Sequence, residues 1–219
     1  AGKSVAVAGN IGPTLLDTLM QRLDTDTLPE VWVLELSSFQ LDGDTHFEPT
    51  AATVLNITQD HLDFHGSMAD YWTAKAALFD WPGLPAAVVN VDDARGAALA
   101  SELAARPLDL WTVGIEPASQ RAPARLFARD LGFTHSGMRL TVGERDAAGE
   151  VVHSHALSLP LVGRYNVSNL LCVLASARAL GVPLAAAVQA CAALSPVPGR
   201  MQQVPADDGQ PLVLVDYAH

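Results

Sequence analysis

The stretch SVAVAGNIGPTLLDTLMQRLDTDTLPEVWVLEL, residues 4–36, decides the fold class. Residues 4–8 form a short apolar run, read as a buried strand, and Gly9-Asn10-Ile11-Gly12-Pro13 reads as the turn that ends it. TLLDTLMQRL has helical spacing, and Pro13 suits the first position of that helix. VWVLEL at 31–36 is a second buried strand. Working outward, ATVLN (52–56), AAVVN (86–90) and LDLWTVG (108–114) are further apolar strands, with helical segments at 68–79 and near 93–105. Apolar strands that alternate with helices predict an α/β fold, a mostly parallel sheet flanked by helices. After about residue 120 the period changes to two. RLFARDLGFT, MRLTVGE and VVHSHALSLP, broken by turn residues such as Ser136-Gly137, predict a small antiparallel β subsheet inserted in the fold. Helices over 166–181 and 184–194 follow, and PLVLVDYAH closes the chain as a strand.

Composition limits the function classes. Hydrophobic residues make up 49% and charged residues 17%, a balance that supports a packed core rather than a disordered chain. No apolar run is long enough for membrane insertion, and the first residues are not a signal peptide. The net charge of −11 argues against nucleic-acid binding. Residues 1–66 set Lys3 and Arg22 against ten acids, which is either a solvated face or a divalent-metal site. Cys172 and Cys191 lie in apolar, helical surroundings and read as buried thiols of a cytoplasmic protein.

Several segments carry possible chemistry. Gly2-Lys3-Ser4 resembles the end of a phosphate loop, but that motif needs a helix after the lysine, and here a strand follows. Glu35 ends a buried strand and precedes Leu36-Ser37-Ser38-Phe39-Gln40. Strand carboxyl ends are where open α/β sheets bind ligands, and a buried carboxylate there needs a partner, often a metal. Asn56–Gly66 (NITQDHLDFHG) brings two carboxylates and two imidazoles together, a donor set suited to Mg²⁺ or Mn²⁺. His61 and His65 are four apart and would share a face on a helix, although Gly66 argues against a long one. Helix-capping acids with surface histidines are the plainer reading. Lys75 lies on an apolar helical stretch: either it snorkels to water, or burial makes its amine nucleophilic enough to add CO₂ and become an anionic metal ligand. Finally, GRYNVSN (163–169) opens a helix, with Asn166 or Ser168 as a possible N-cap and Asn169 in the first turn. Arg200 in GRM and Asp216 in DYAH complete the set.

In this order and spacing the motifs resemble the Mur ligase family over essentially the whole chain. GNIG (9–12) and ELSSFQLD (35–42) resemble its D-glutamate-adding members, so residues 1–66 are MurD-like. DHLDFHGSMADYWTAKAALF (60–79) resembles both that type and the MurE type, which adds diaminopimelate or lysine; LVGRYNVSNLL (161–171), PVPGRM (196–201) and the terminal DYAH make the chain from about residue 68 to 219 MurE-like. The resemblance implies an ATP-dependent amide ligase of peptidoglycan precursor synthesis. In it the γ-phosphoryl group of ATP passes to the carboxylate of a UDP-N-acetylmuramoyl peptide, and the acyl phosphate is attacked by an incoming amino acid. It implies Glu35, His61 and carbamylated Lys75 as catalytic and Mg²⁺-holding residues, with Asp60 supporting the His61 loop. Asn10, Ser37 and Ser38 would meet the muramoyl substrate, and Asn166, Asn169, Arg200 and Asp216 the nucleotide. Residues 1–211 would be the central domain and 212–219 the start of the C-terminal ligase domain, with Asp216 and His219 near the hinge. The family's phosphate loop and its N- and C-terminal domains are missing from the sequence, so the chain alone is expected to be inactive. The alternatives are a D-glutamate-adding ligase, a folylpolyglutamate synthetase, a metal-dependent hydrolase built on His61, Asp63 and His65, and a fragment or chimera that acts only as a binding module.

Overall fold

The computed structural model describes residues 2–41, 48–117, 123–134, 137–204, 211 and 213–217. Asp42, Ser136, Ala218 and His219, singled out above, lie outside them. The chain forms two compact units, Ala1–Glu48 with Thr58–Gly83, and Pro49–Ile57 with Leu84–His219.

The first unit is built on strands β1 (Val5–Gly9) and β2 (Val31–Glu35), a parallel pair in which Gly9 sits opposite Glu35. Helix α1 (Leu15–Asp24) joins them. Thr14, not Pro13, sets its start: the Thr14 hydroxyl accepts the Asp17 N–H at 3.2 Å, so Pro13 precedes the cap instead of opening the helix. Asp17 in the first turn and Arg22 in the last complement the helix dipole. Short helices follow: α2 (Ser38–Leu41), α3 (Leu62–His65) and α4 (Met68–Ala76), the last capped by the Ser67 hydroxyl on the Asp70 N–H and running into a 3-10 turn at Ala77–Phe79. Alternation along β1 buries Ala6 and Ala8 and leaves Val5 and Val7 half exposed, as is Val33 on β2. These two strands are therefore covered on one side only, where two-sided burial was expected.

The second unit holds a six-stranded sheet in sequence order, β3 (Ala51–Val54), β4 (Ala86–Asn90), β5 (Asp109–Ile115), β6 (Leu126–Thr134), β7 (Gly137–Arg145) and β8 (Val151–Leu159). Pairings from β3 to β6 are parallel and those from β6 to β8 antiparallel. The antiparallel part is thus an extension of the parallel sheet through β5–β6, not a separate insert. The fold class is as expected, with the parallel strands divided between two hydrogen-bonded groups. Helix α5 (Ala94–Leu103) follows β4, α6 (Arg164–Ala179) follows β8, and α7 (Leu184–Ala190) follows α6. The core joins Val88, Trp111, Val113 and Leu126 of the sheet to Val167, Leu171 and Leu174 of α6. Val89, the neighbour of Val88, faces α5, where Gly96 allows close approach to the Asn90 carbonyl. Glu144 is the buried acid of this unit; Arg178 forks onto it at 2.8 and 2.9 Å. Cys172 and Cys191 are free and buried, and burial pushes the Cys172 thiol up to about 12. Strands β9 (Gln202–Gln203) and β10 (Leu214–Val215) form a short antiparallel pair.

Candidate functional site

Glu35 gathers the first group of expected residues. Its backbone carbonyl accepts the Asn10 N–H at 2.8 Å, and its side-chain Oε2 accepts the Ile11 N–H at 3.0 Å. The GNIG turn is therefore wrapped onto the carboxyl end of β2. This is possible because Gly9 has φ +139° and no Cβ; a Cβ there would lie 2.1 Å from the Glu35 carbonyl oxygen. Glu35 is exposed rather than buried, since β2 ends at the surface of its unit. Gly2-Lys3-Ser4 leads straight into β1. Lys3 pairs with Glu30 at 3.5 Å, and Ser4 and Glu30 exchange two 3.0 Å bonds, so this segment is a strand entry.

The SSFQ and DHLDFH segments meet. Ser37 is tied to Gln40, whose Oε1 accepts the Ser37 N–H at 2.9 Å. Ser38 is 2% exposed, and its hydroxyl lies 2.9 Å from His65 Nε2. His61 adopts a left-handed conformation (φ 53°, ψ 29°) as the residue that caps α3. Its positive φ, shared with Asp26, Asp130 and Met201, is uncommon for a residue with a side chain. Asp60 fixes it: Asp60 Oδ1 accepts the His61 N–H at 2.8 Å, and Oδ2 lies 3.5 Å from His61 Nε2. His61 and His65 do not share a helix face, since His61 caps the single turn that His65 ends. Instead both rings border Phe39, at centroid distances of 4.9 and 5.7 Å, and both border Tyr71, at 6.0 and 5.3 Å. Lys75 is half-buried on α4, with Nζ 5.2 Å from the Tyr71 ring centroid. Aromatic face and water together solvate it.

Among the described residues, no three His, Cys, Asp or Glu side chains gather as a metal-binding group. Glu35 and His61 are exposed side chains that could each supply one donor. The Glu35 carboxylate fits Mg²⁺, which is commonly held by one or two carboxylates and takes the rest of its coordination from substrate phosphates and water; an imidazole is the less usual donor for it.

In the second unit, three of the four nucleotide candidates act on the ionisation of one phenol that the sequence reading passed over. Tyr165 stands between Arg164 and Asn166 in GRYN. Burial raises its pKa, the Asp216 charge raises it further, and Arg200 and an Asn166 hydrogen bond oppose the rise. Asn166 also donates its amide to the Val162 carbonyl at 2.7 Å. Gly163, with φ 98°, is the N-cap of α6, so neither Asn166 nor Ser168 caps it. Arg200 donates to the Tyr217 carbonyl at 3.4 Å, and the Tyr217 N–H donates to the Gly199 carbonyl at 2.8 Å. Asn169 lies one turn further along α6, half-buried. The signal that could have found Tyr165 is an aromatic flanked by Arg and Asn at a helix start. The one that could have found the Phe39–Tyr71 box is the density of aromatics around two histidines.

Known proteins agree on the family and divide on the amino acid added. Residues 7–177 match the family described as Mur ligase middle domain. A UDP-N-acetylmuramoyl-L-alanyl-D-glutamate–2,6-diaminopimelate ligase of Acidovorax sp. is 55% identical over 184 residues, 84% of this chain and 34% of that protein. A UDP-N-acetylmuramoylalanine–D-glutamate ligase of Albidiferax ferrireducens is 66% identical over 101 residues, 46% of this chain and 20% of that protein. Among solved structures, a diaminopimelate ligase superposes with a TM-score of 0.76 at 29% identity, covering 99% of this chain and 45% of that one. A UDP-N-acetylmuramate–alanine ligase from Thermotoga maritima shares the fold, with a TM-score of 0.60 at 21% identity, covering 100% of this chain and 51% of that one. The chain spans about a third or less of the length of these curated relatives. Among the described residues, no helix is long and apolar enough to cross a membrane.

Proposed function

Because this chain belongs to the Mur ligase middle-domain family, we propose that it is the central part of an ATP-dependent amide ligase that extends a UDP-N-acetylmuramoyl peptide in peptidoglycan synthesis. The incoming residue is diaminopimelate or lysine. The observation that carries this reading is the 55% identity to a diaminopimelate ligase across 84% of the chain. The 66% identity to a D-glutamate ligase over a shorter stretch, with GNIG and SSFQ, favours D-glutamate addition as the second reading.

ATP supplies the phosphoryl group that activates the substrate carboxylate, and Mg²⁺ offsets the repulsion between the two anions. The chain's own residues bind and orient. Glu35 and His61 are the side chains that would hold the cation. Glu35 carries the GNIG turn with it, so Asn10 is delivered to the same strand end. Ser37, beside the buried Ser38, is the serine that the muramoyl peptide would meet. Lys75 would act after its neutral amine adds CO₂: an N–C bond forms, one proton leaves, and a cation that repels a metal becomes an anionic oxygen ligand. Asn166, Asn169, Arg200 and Asp216 form the nucleotide end, with an Arg for phosphate and amides for a base or ribose. Residues 1–211 serve as the central domain, and 212–219 lead into the C-terminal one. Because no GxxxxGK[ST] loop occurs within the 219 residues, the chain alone does not hydrolyse ATP. Phosphate release that tracks the purified chain and vanishes in Glu35→Ala would overturn that statement. Labelled bicarbonate and ¹³C NMR on a full-length enzyme carrying this domain test the carbamate; an unmodified Lys75 with a fully active Lys75→Arg variant would refute it.

A further inference from the structure

The hydroxyl of Ser38 is buried and engaged with His65, so a direct contact with substrate is not the role its position supports. His65 ends the α3 turn that His61 begins, 27 residues away from Ser38 in sequence. Its ring lies parallel to Phe39 (16° between planes) and packs on Tyr71, at 35°. Those two aromatics are the ones that border His61, Phe39 at 57° and Tyr71 edge-on at 87°. Tyr71 in turn carries Lys75 over its face. Asp60 holds the His61 backbone and stands 3.5 Å from its ring Nε2, while Phe39 and Tyr71 border the sides of the ring. Phe39 itself follows Ser38 on α2, a helix of four residues too short to hold its own orientation.

We propose that the Ser38–His65 hydrogen bond is a positioning pin: it locks α2 onto the α3 turn and so fixes, through Phe39 and Tyr71, the rings and chain that aim His61 and Lys75. His65 is thereby a positioning residue rather than a ligand or a general base. The functional weight of the pin rests on the reading above, in which His61 holds a cation. Its structural content does not. Groups bonded directly to a liganding imidazole hold it in one orientation, and losing one weakens metal binding by about 10- to 100-fold; the pin acts one layer further out, through Phe39 and Tyr71, so the lower end of that range is expected.

The test uses this chain, with His61 followed through its ring protons by NMR and Mn²⁺ alone as the probe. Ser38→Ala removes the hydroxyl, His65→Phe keeps a ring but no hydrogen-bonding atom, and His65→Gln keeps such an atom near the Nε2 position. In the metal-free protein, Ser38→Ala and His65→Phe should shift the His61 ring signals away from their wild-type, ring-current-shifted position. The double variant should shift them no further than either single one, and His65→Gln should restore part of the shift. Each single variant should melt within about 4 °C of wild type, the cost of one hydrogen bond. On titration, Mn²⁺ should broaden His61 in wild type, and at about tenfold higher concentration in Ser38→Ala and His65→Phe. Unchanged His61 signals in both single variants, or additive shifts in the double variant, overturn the pin. Altered signals with unchanged Mn²⁺ broadening overturn its role in aiming His61 at a cation. No broadening of His61 in wild type overturns the cation reading itself, and the pin is then judged on the metal-free shifts.

Discussion

Replacing Gly9 by alanine puts the architecture of the strand end to a quantitative test. Gly9 has φ +139°, and an added Cβ would meet the Glu35 carbonyl oxygen at 2.1 Å, the Glu35 nitrogen at 2.8 Å and its carbonyl carbon at 2.9 Å. All three are backbone atoms, so no rotamer change makes room. The residue keeps a conformation that costs an L-amino acid about 1–3 kcal/mol, and β1 and β2 must also part at this point. Parting them breaks the 2.8 Å bond from the Asn10 N–H to the Glu35 carbonyl, a loss of about 1 kcal/mol. The sum is roughly 2–4 kcal/mol, or a fall in Tm of roughly 4–16 °C for a chain of this size. Thermal melting gives the stability, and amide hydrogen exchange at Asn10 and Ile11 gives the location. Gly9→Ala should lose protection at these two amides while β4 and β5 keep theirs. In a full-length enzyme the displaced Glu35 should also lower kcat/KM. A variant with wild-type Tm and wild-type Asn10 protection would show that the close approach between the GNIG turn and β2 does not exist.

Arg178→Met leaves the Glu144 carboxylate buried without its fork, and should destabilise by about 3–5 kcal/mol; a change below about 1 kcal/mol by urea titration would mean the pair is solvated. Cys172 should resist iodoacetamide at pH 8 in the folded chain and react on unfolding, because burial holds its thiol up to about 12. The sign for stability follows: the folded state keeps this proton longer than the unfolded one, so its contribution is full below about pH 9 and is lost as pH rises towards 12. Cys172→Ala should flatten that alkaline loss in a pH series of urea melts. In a full-length enzyme Lys75→Ala should lose most activity, with partial rescue by acetate, and Lys75→Arg should not substitute, because a guanidinium stays cationic; steady-state kinetics with both variants decides this.

Local signals were read from sequence with success where the chemistry is local. The strand end at Glu35 and the turn at Asn10 follow from an apolar run meeting Gly-Asn, and the three antiparallel strands follow from their period of two. Pro13 misled because proline and threonine both signal a helix start, and the hydroxyl of Thr14 took the cap. The exposure of Val5, Val7 and Val33 could not be read, since an apolar strand looks the same whether one face or both are covered. Tyr71 and Lys75 are four apart on α4, so their contact was available to helix spacing. Ser38 and His65 were not linked, because nothing in a sequence marks which serine meets a histidine 27 residues on.

The most direct test of the account is the choice of substrate. A full-length ligase carrying this central domain should be given UDP-N-acetylmuramoyl-L-alanyl-D-glutamate with diaminopimelate or lysine, and separately UDP-N-acetylmuramoyl-L-alanine with D-glutamate. Each reaction should contain ATP and Mg²⁺, and the products should be identified by mass. The account predicts ATP-dependent extension of the dipeptide substrate, abolished by Glu35→Ala. Product formed only with D-glutamate, or no ATP-dependent product with either substrate, would contradict it.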